Sequence, residues 1–421
     1  MIKLLVIADD FTGALDTGVK FADAGARTQV IATSSINLSS VKPDVEVLVL
    51  DLGTRHKASE VAYELVRNIA QAAKEFGVPF LLKKTDSALR GNIGCELKAL
   101  IDGCDKKFIP FIPALPSLNR VIENGILTIN GTEVADSVFG RDPFTPVLKS
   151  NVADIIALQT NVPTSVVKLG AKTYEKNGIV VFDSLSDKDV RFAAKLLFDE
   201  GDLNIMAGCS GLGGVLPDLL SLGDGSSRKF EYSERFIVMC GSVNPITTSQ
   251  VEYARAFGFK QIELSFEEKT DASFWETESG RNRIDEIISI INENPKVVIS
   301  TFDEVDNPKT LELAANVGIS ATEIGSKIAL SIGQLLTSIM KSEINATYLV
   351  TGGDTLLGFM KQINKYELDM ITEINLGCVL SQIEYEFKTK QIISKSGGFG
   401  NVEIFVDISN IILDKRKCRE C

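Results

Sequence analysis

The sequence predicts an α/β fold in two domains, each a mostly parallel sheet flanked by helices, on three observations. Short apolar runs rich in β-branched residues alternate with helical stretches from the first residue to about residue 410, the pattern of βαβ units. The 421 residues of the chain exceed the roughly 250–300 at which a single core stops growing, so two domains are expected. Leu222-Gly223-Asp224-Gly225-Ser226-Ser227-Arg228-Lys229 separates two apolar series and has the composition of a flexible linker, which places the boundary near residue 228 and the domains at 1–228 and 229–421.

In the first series, residues 4–8, 45–50, 80–82 and 108–112 read as buried strands, with helical periodicity at about 11–25, 58–76 and 93–103. Asn-Gly occurs twice between residues 124 and 132, which predicts an inserted hairpin. Strands continue at 178–183, 204–207, 236–240, 297–300 and 348–350, and amphipathic helices at about 187–199, 246–257, 281–293 and 321–341.

Apolar residues at 44% and charged residues at 24% lie in the ordinary globular range, which excludes disordered and collagen-like classes. The balance of 44 Lys and Arg against 56 Asp and Glu gives a net charge of −12, a field that repels polyanions, so no nucleic-acid partner is expected. An anionic ligand must then be held by a local cluster of donors working against the global field. No stretch reaches the roughly 18 apolar residues of a membrane helix, and the apolar opening run is too short for a secretory signal. No membrane partner and a cytoplasmic location are therefore expected. Cys95, Cys104, Cys209, Cys240 and Cys378 read as reduced, buried thiols, and the C-x-x-C of Cys418 and Cys421 as part of a frayed tail. The single histidine, His56, reads as a loop residue and excludes zinc sites built on several histidines.

The first strand runs into Asp9-Asp10-Phe11-Thr12-Gly13-Ala14, which opens a helix, so two carboxylates stand where open sheets bind ligands. One suffices to cap the helix, leaving the other for a hydroxyl or a metal ion. Asp51-Leu52-Gly53-Thr54-Arg55-His56 repeats the arrangement and brings Arg55 to the same edge, either as a carboxylate grip or as an exposed loop arginine. Leu82-Lys83-Lys84-Thr85-Asp86-Ser87-Ala88-Leu89-Arg90-Gly91-Asn92 is the expected basic island, and the planar guanidinium of Arg90 suits a carboxylate through two parallel hydrogen bonds.

In the second series, Met239-Cys240-Gly241-Ser242-Val243-Asn244-Pro245 joins a strand to a small-residue turn and a helix with proline in its first turn, either a helix-terminus anion site or an ordinary Ser-capped turn. Tyr348-Leu349-Val350-Thr351-Gly352-Gly353-Asp354-Thr355 repeats the design with two glycines, which let a phosphate approach the main chain with no Cβ in the way. Ser394-Lys395-Ser396-Gly397-Gly398 is a third instance. Three such turns point to a nucleotide-phosphate site, although none is a G-x-x-x-x-G-K-S/T loop or a G-x-G-x-x-G fingerprint.

Ile7-Ala8-Asp9-Asp10-Phe11-Thr12-Gly13-Ala14, Lys84-Thr85-Asp86-Ser87-Ala88-Leu89-Arg90-Gly91-Asn92 and Arg141-Asp142-Pro143-Phe144-Thr145-Pro146 together resemble the four-carbon acid sugar kinase family, whose members phosphorylate threonate, erythronate or 3-oxo-tetronate. Pro113-Ala114, Asn124-Gly125 and the turns of the second series extend the resemblance over nearly the whole chain. It implies an active site in the interdomain cleft, with Asp10, Arg55, Lys84, Thr85, Asp86 and Ser87 holding the sugar acid and Arg90 close by. It also implies that Arg141, Asp142 and Thr145 line or close that cleft. Ser242, Gly352, Gly353, Asp354, Thr355, Gly397 and Gly398 would bind ATP, with Mg2+ bridging its phosphates. Thr351-Gly352-Gly353-Asp354 is also locally similar to the Gly-x-Gly-Asp element of ribokinase-type sugar kinases, where the Asp acts as base.

The expected reaction is transfer of the γ-phosphate of ATP to a hydroxyl, the terminal one, with the substrate carboxylate on Arg90 or Arg55. Asp10 is the first choice of base, and Asp354 and Asp86 are its rivals. Two other classes stay open. A nicotinamide-dependent sugar-acid dehydrogenase would need a dinucleotide fingerprint and a catalytic His or Lys. A non-catalytic sugar-acid sensor would need Arg90 and Arg55 but no phosphate loops. The sequence does not choose among the tetronates, or between a monomer and a homo-oligomer.

Overall fold

Leu4–Ala8 (β1) is apolar at every position and buried at every position, as a strand covered on both faces must be. The same reasoning accounts for Val47–Asp51 and Gly178–Phe182, which are likewise wholly buried. These segments belong to a computed structural model that describes residues 1–142, 144–226, 228–241, 245–302 and 309–413. The chain divides into two units, Met1–Arg228 and Lys229–Cys421.

In the first unit, β1 is followed by β2 (Thr28–Ala32), β3 (Val47–Asp51), β4 (Phe80–Lys84) and β5 (Phe108–Ile112). An inserted antiparallel sheet of β6 (Arg120–Glu123), β7 (Ile126–Ile129) and β8 (Thr132–Glu133) comes next. β9 (Thr164–Val167), β10 (Gly178–Phe182) and β11 (Ile205–Gly208) complete the main sheet. Its strands are parallel in the order β2-β3-β1-β4-β11-β5-β10-β9. Helices α1 (Phe11–Asp23), α2 (Ser59–Phe76), α3 (Ile93–Gly103), α4 (Val152–Ala157) and α5 (Asp187–Asp199) connect them, with the short α6 (Ser210–Gly213) and α7 (Leu216–Leu219) after β11. The strand order reverses about β1, because β3 lies on one side of it and β4 on the other, and such a switch point is where open parallel sheets bind ligands.

Both Asn-Gly pairs make the expected two-residue turns, with φ of 50° and 76° at Asn124 and Gly125 and 51° and 79° at Asn130 and Gly131. The segment read as a flexible linker differs from expectation over its described part. Gly223 N–H donates to a carboxylate oxygen of Glu46, just before β3, at 3.1 Å and Gly225 N–H to the carbonyl of Ala24, just after α1, at 3.0 Å, so this part of the segment is tied to the first unit.

The second unit contains β12 (Arg235–Cys240), α8 (Pro245–Ala256), β13 (Lys260–Glu263), α9 (Phe266–Thr270), α10 (Glu278–Glu293) and β14 (Lys296–Ser300). They are followed by α11 (Lys309–Asn316), α12 (Ala321–Lys341), β15 (Ala346–Thr351) and α13 (Gly353–Gln362). β16 (Glu367–Asn375), β17 (Cys378–Tyr385), β18 (Lys388–Lys395) and α14 (Ile404–Ile412) end the unit. β13-β14-β12-β15-β18 are parallel, and β18-β17-β16 continue antiparallel. Phe236, Val238, Leu349, Leu380, Ile393 and Phe405 form its core. Five cysteines are free and buried, while Cys418 and Cys421 lie outside the described residues. No described helix is long and apolar enough to cross a membrane.

Candidate active site

The parallel register sets Ala8 of β1 opposite Asp51 of β3 and Lys84 of β4, so the residues that follow these strands emerge together. Asp9 is buried, and Asp10 caps α1 by accepting a hydrogen bond from Gly13 N–H at 3.1 Å. Arg55 binds both carboxylates: its Nε is 2.8 Å from Asp9 Oδ2, and its Nη2 and Nη1 are 2.7 and 3.0 Å from the oxygens of Asp10. Its Nη2 also lies 3.5 Å from Asp86 Oδ1. Lys84 Nζ stands 3.7 Å from Asp9 and 3.8 Å from Asp10. The ammonium and an oxygen of Asp10 occupy the space that a Cβ on Gly13 would fill, so a larger residue there would displace both groups. Behind the cluster, Lys83 and Glu96 make a buried ion pair at 3.0 Å, and Lys83 Nζ also donates to the carbonyls of Ile7 and Lys84.

The carboxylates of this cluster are driven apart electrostatically. Burial works against the charge on Asp9, but Arg55, Lys84 and Lys83 outweigh it and hold its pKa below the ordinary carboxylate value. Burial and the adjacent Asp9 raise Asp10, with Arg55 and Lys84 offsetting only part. Burial pushes Asp51 up to about 7, against the 2.9 Å hydrogen bond from Gly53 N–H, and Asp10 and Asp9 add to the rise.

Asp86 is saturated. It accepts from the N–H groups of Ala88 and Arg90 at 3.2 Å each and from Arg90 Nε and Nη2 at 2.9 and 3.0 Å. Burial opposes its ionisation, yet Arg55 and Arg90 keep it well below the usual range. The turn that permits this holds Leu89 at φ 63°, a left-handed conformation that is strained for a bulky side chain. Arg90 Nη1 reaches Asp142 Oδ2 at 3.1 Å, and Asp142 Oδ1 accepts from the N–H groups of Phe144 and Thr145 at 3.0 and 2.9 Å.

Asp10, Arg55, Lys84, Thr85, Asp86, Ser87, Arg90 and Asp142 thus come together on one edge. Thr85 is buried, and its Oγ1 has no hydrogen-bond partner, as is also true of Thr145 Oγ1. Arg141 is exposed, and Pro143 lies outside the described residues. His56 is an exposed loop residue whose ring meets Phe144 edge-on, 6.0 Å between centroids. One residue of the site escaped sequence reasoning. Arg120, at the start of β6, donates from Nη1 to Ser87 Oγ and lies 4.9 Å from the centroid of the Phe139 ring, which also carries Arg90 at 5.1 Å. The nearest sequence signal was the Asn-Gly pair at 124–125, which announces a strand turning back but not what it carries.

In the second unit, three adjacent strands end where the small-residue segments of the sequence begin, although residues 242–244 of the first segment lie outside the described residues. Cys240, Thr351 and Lys395 end β12, β15 and β18 in matching register. Gly352, at φ 91°, donates its N–H to the Lys395 carbonyl at 2.8 Å and precedes α13, whose first turn carries Gly353, an exposed Asp354 and a buried Thr355. The first N–H groups of a helix lack partners within it and face any group at its N-terminus. Gly241 packs against the Thr355 hydroxyl where a Cβ would collide. Thr247 Oγ1 donates to the Gly397 carbonyl at 2.8 Å, and Gln250 Nε2 to the carbonyls of Phe399, Gly400 and Asn401 at 3.0–3.1 Å, which ties α8 to the third turn. Gly398 is exposed. Lys395, 1% exposed, donates from Nζ to the Ser396 and Gly397 carbonyls at 3.0 and 3.4 Å. Ser242 lies outside the described residues.

Residues 4–216 match the model of a sugar-binding N-terminal domain, and residues 237–405 that of a nucleotide-binding C-terminal domain. The chain is 25% identical over 428 residues to a D-threonate kinase of Salmonella typhimurium, covering 96% of this chain and 97% of that protein. It is also 25% identical over 441 residues to a D-erythronate kinase of Heliobacterium modesticaldum, covering 99% and 98%. A crystal structure of a Haemophilus influenzae protein shares the fold with a TM-score of 0.77 at 22% identity, over 97% of this chain and 100% of that one. The chain belongs to the four-carbon acid sugar kinase family, in which a sugar-binding N-terminal domain is joined to a nucleotide-binding C-terminal domain.

Proposed function

We propose that the protein is an ATP-dependent kinase that phosphorylates threonate, erythronate or 3-oxo-tetronate at the terminal hydroxyl, giving a 4-phosphate. The observation that supports this reading is that Cys240, Thr351 and Lys395 end β12, β15 and β18 in matching register, with Gly241, Gly352 and the glycines at 397 and 398 next to those ends. Main-chain donors at such turns suit phosphates; a pure sensor has no use for them, and a dehydrogenase would carry the G-x-G-x-x-G fingerprint that the sequence lacks. Gly352, Gly353, Thr355, Gly397 and Gly398 would hold the phosphates, and Ser242 joins them on the family resemblance alone.

The exposed carboxylate of Asp354, a hard oxygen donor on the same turn, fits a magnesium ion brought by the nucleotide. When bound, that ion neutralises phosphate charge.

In the first unit, Asp10, Arg55, Lys84, Thr85, Asp86, Ser87 and Arg90 are the sugar-acid site of this reading. Phosphoryl transfer demands alignment and charge neutralisation more than chemistry from the protein. Asp10 is the base that takes the hydroxyl proton, since its raised pKa suits that task, whereas Asp86 is locked to Arg90 and held low. Asp354 is the alternative base. Work on ATP and a sugar acid places the enzyme in the cytoplasm.

The test is a coupled ADP-release assay across threonate, erythronate and 3-oxo-tetronate isomers. Turnover of at least one is expected, and silence on every compound would overturn the reading.

A further inference from the structure

Four cations stand at the substrate edge of the first unit, and carboxylates of the protein already face three of them. Arg55 faces Asp9, Asp10 and Asp86, Lys84 faces Asp9 and Asp10, and Arg90 faces Asp86 and Asp142. Arg120 is different. Among the described residues it makes no ion pair, its Nη1 donates to the neutral hydroxyl of Ser87, and its Nε is buried without a hydrogen-bond partner. The guanidinium is always charged, so partial burial without a counter-ion is unfavourable. Burial lowers its pKa, and the attraction of Asp86 offsets that only in part.

The group is nonetheless held in place. Phe139 takes the guanidinium of Arg120 on its ring together with that of Arg90, and the main chain of Arg120 exchanges hydrogen bonds with Leu115 at 2.8 and 3.1 Å. A fixed, partly desolvated arginine with unmet donors beside a saturated ionic cluster is complementary to an anion supplied from outside.

We propose that Arg120, seated by Ser87 and Phe139, receives the carboxylate of the sugar acid and so sets the preference for an acid over a neutral polyol of the same length. The proposal rests on the kinase reading above and deepens its substrate side. A substrate carboxylate directed at Arg55 or Arg90 would have to compete with Asp9, Asp10, Asp86 or Asp142, whereas at Arg120 no described carboxylate is ion-paired and Asp86 acts only at longer range.

The test compares the full-length chain with Arg120→Gln and Arg120→Lys. The readouts are steady-state kinetics with the tetronate that is turned over, inhibition by erythritol and threitol, and thermal protection by the tetronate and by ATP. Hydrogen bonds to a charged group predict a KM for the acid about 10- to 100-fold higher in Arg120→Gln, with kcat and the KM for ATP within about threefold. Arg120→Lys should recover part of the loss, polyol inhibition should stay unchanged, and the melting temperature should not fall. A KM for the acid within about threefold of wild type would sink the proposal. So would a joint loss of melting temperature and of both substrates, which marks a structural role.

Should Arg120→Gln not fold, Arg120→Lys carries the same readouts, with a smaller rise in the KM for the acid expected and no rise counting against the proposal. If the wild-type chain turns over no tetronate, the kinase reading fails separately. Thermal protection by the tetronate then decides on Arg120: its loss in Arg120→Gln supports the site, and its retention removes it.

Discussion

Asp10 and Asp51 both sit beside Arg55 with raised pKa values, yet they differ in what the surroundings leave them to do. Asp10 is partly exposed, with its side chain 26% accessible, so it can meet a substrate hydroxyl. Asp10→Asn keeps an oxygen to accept the Gly13 N–H and should therefore fold, while kcat falls by about 10²–10⁴ if the residue is the base. In the wild type, kcat/KM should rise with pH through a pKa above the ordinary 3.8 of an aspartate, and that limb should vanish in the variant. Asp51 is buried, and the fold favours its neutral form. Its contribution to stability is complete below about pH 4 and is lost as pH rises through about 7, where ionisation costs up to ~4 kcal/mol. Asp51→Asn retains the acceptor for Gly53 N–H, so it should melt above the wild type at pH 8, with the gap closing toward pH 4. Thermal melts at the two pH values check this, and equal melting at pH 8 would show that the burial carries no such cost.

Among the elements, the turn between β15 and α13 depends most on its backbone. Gly352 is at φ 91°, a region costly to any residue with a Cβ, and its N–H bonds β18 through Lys395. Gly352→Val should raise the Kd for ATP at least about tenfold while leaving thermal protection by the sugar acid intact, as measured by thermal shift with each ligand. Protection by both ligands lost alike would mean that the substitution unfolds more than a turn. Elements buried on both faces were legible in the sequence because nothing interrupts their apolar runs, as in β1 and β3. β16 and β17 were not, because Thr372, Glu373, Gln382 and Glu384 lace them with polar residues that read as loop. The linker was misread for a related reason: composition records Gly223 and Gly225 but not Glu46 and Ala24, the distant partners that hold them.

Across the whole molecule, a net charge of −12 coexists with a charge-balanced cluster in the first unit, where the cations expected as a basic island face Asp9, Asp10, Asp86 and Asp142, and with glycine-bearing strand ends in the second. Both patches were legible because chemistry-bearing residues cluster within a few positions of strand ends. Arg120 was not, since its partners Ser87 and Phe139 are remote in sequence and only the folded hairpin unites them. The buried pair of Lys83 and Glu96 carries a consequence for how such a chain can vary. Lys83 straps β4 to β1 through the Ile7 carbonyl, so the pair fixes where Asp9 and Lys84 emerge. Losing either partner alone would strand a charge in the interior at about 3–5 kcal/mol, whereas exchanging both for well-packed apolar residues would cost little. The two positions form a single heritable unit: descendants can keep both or relinquish both, but the halfway genotype lies in a valley.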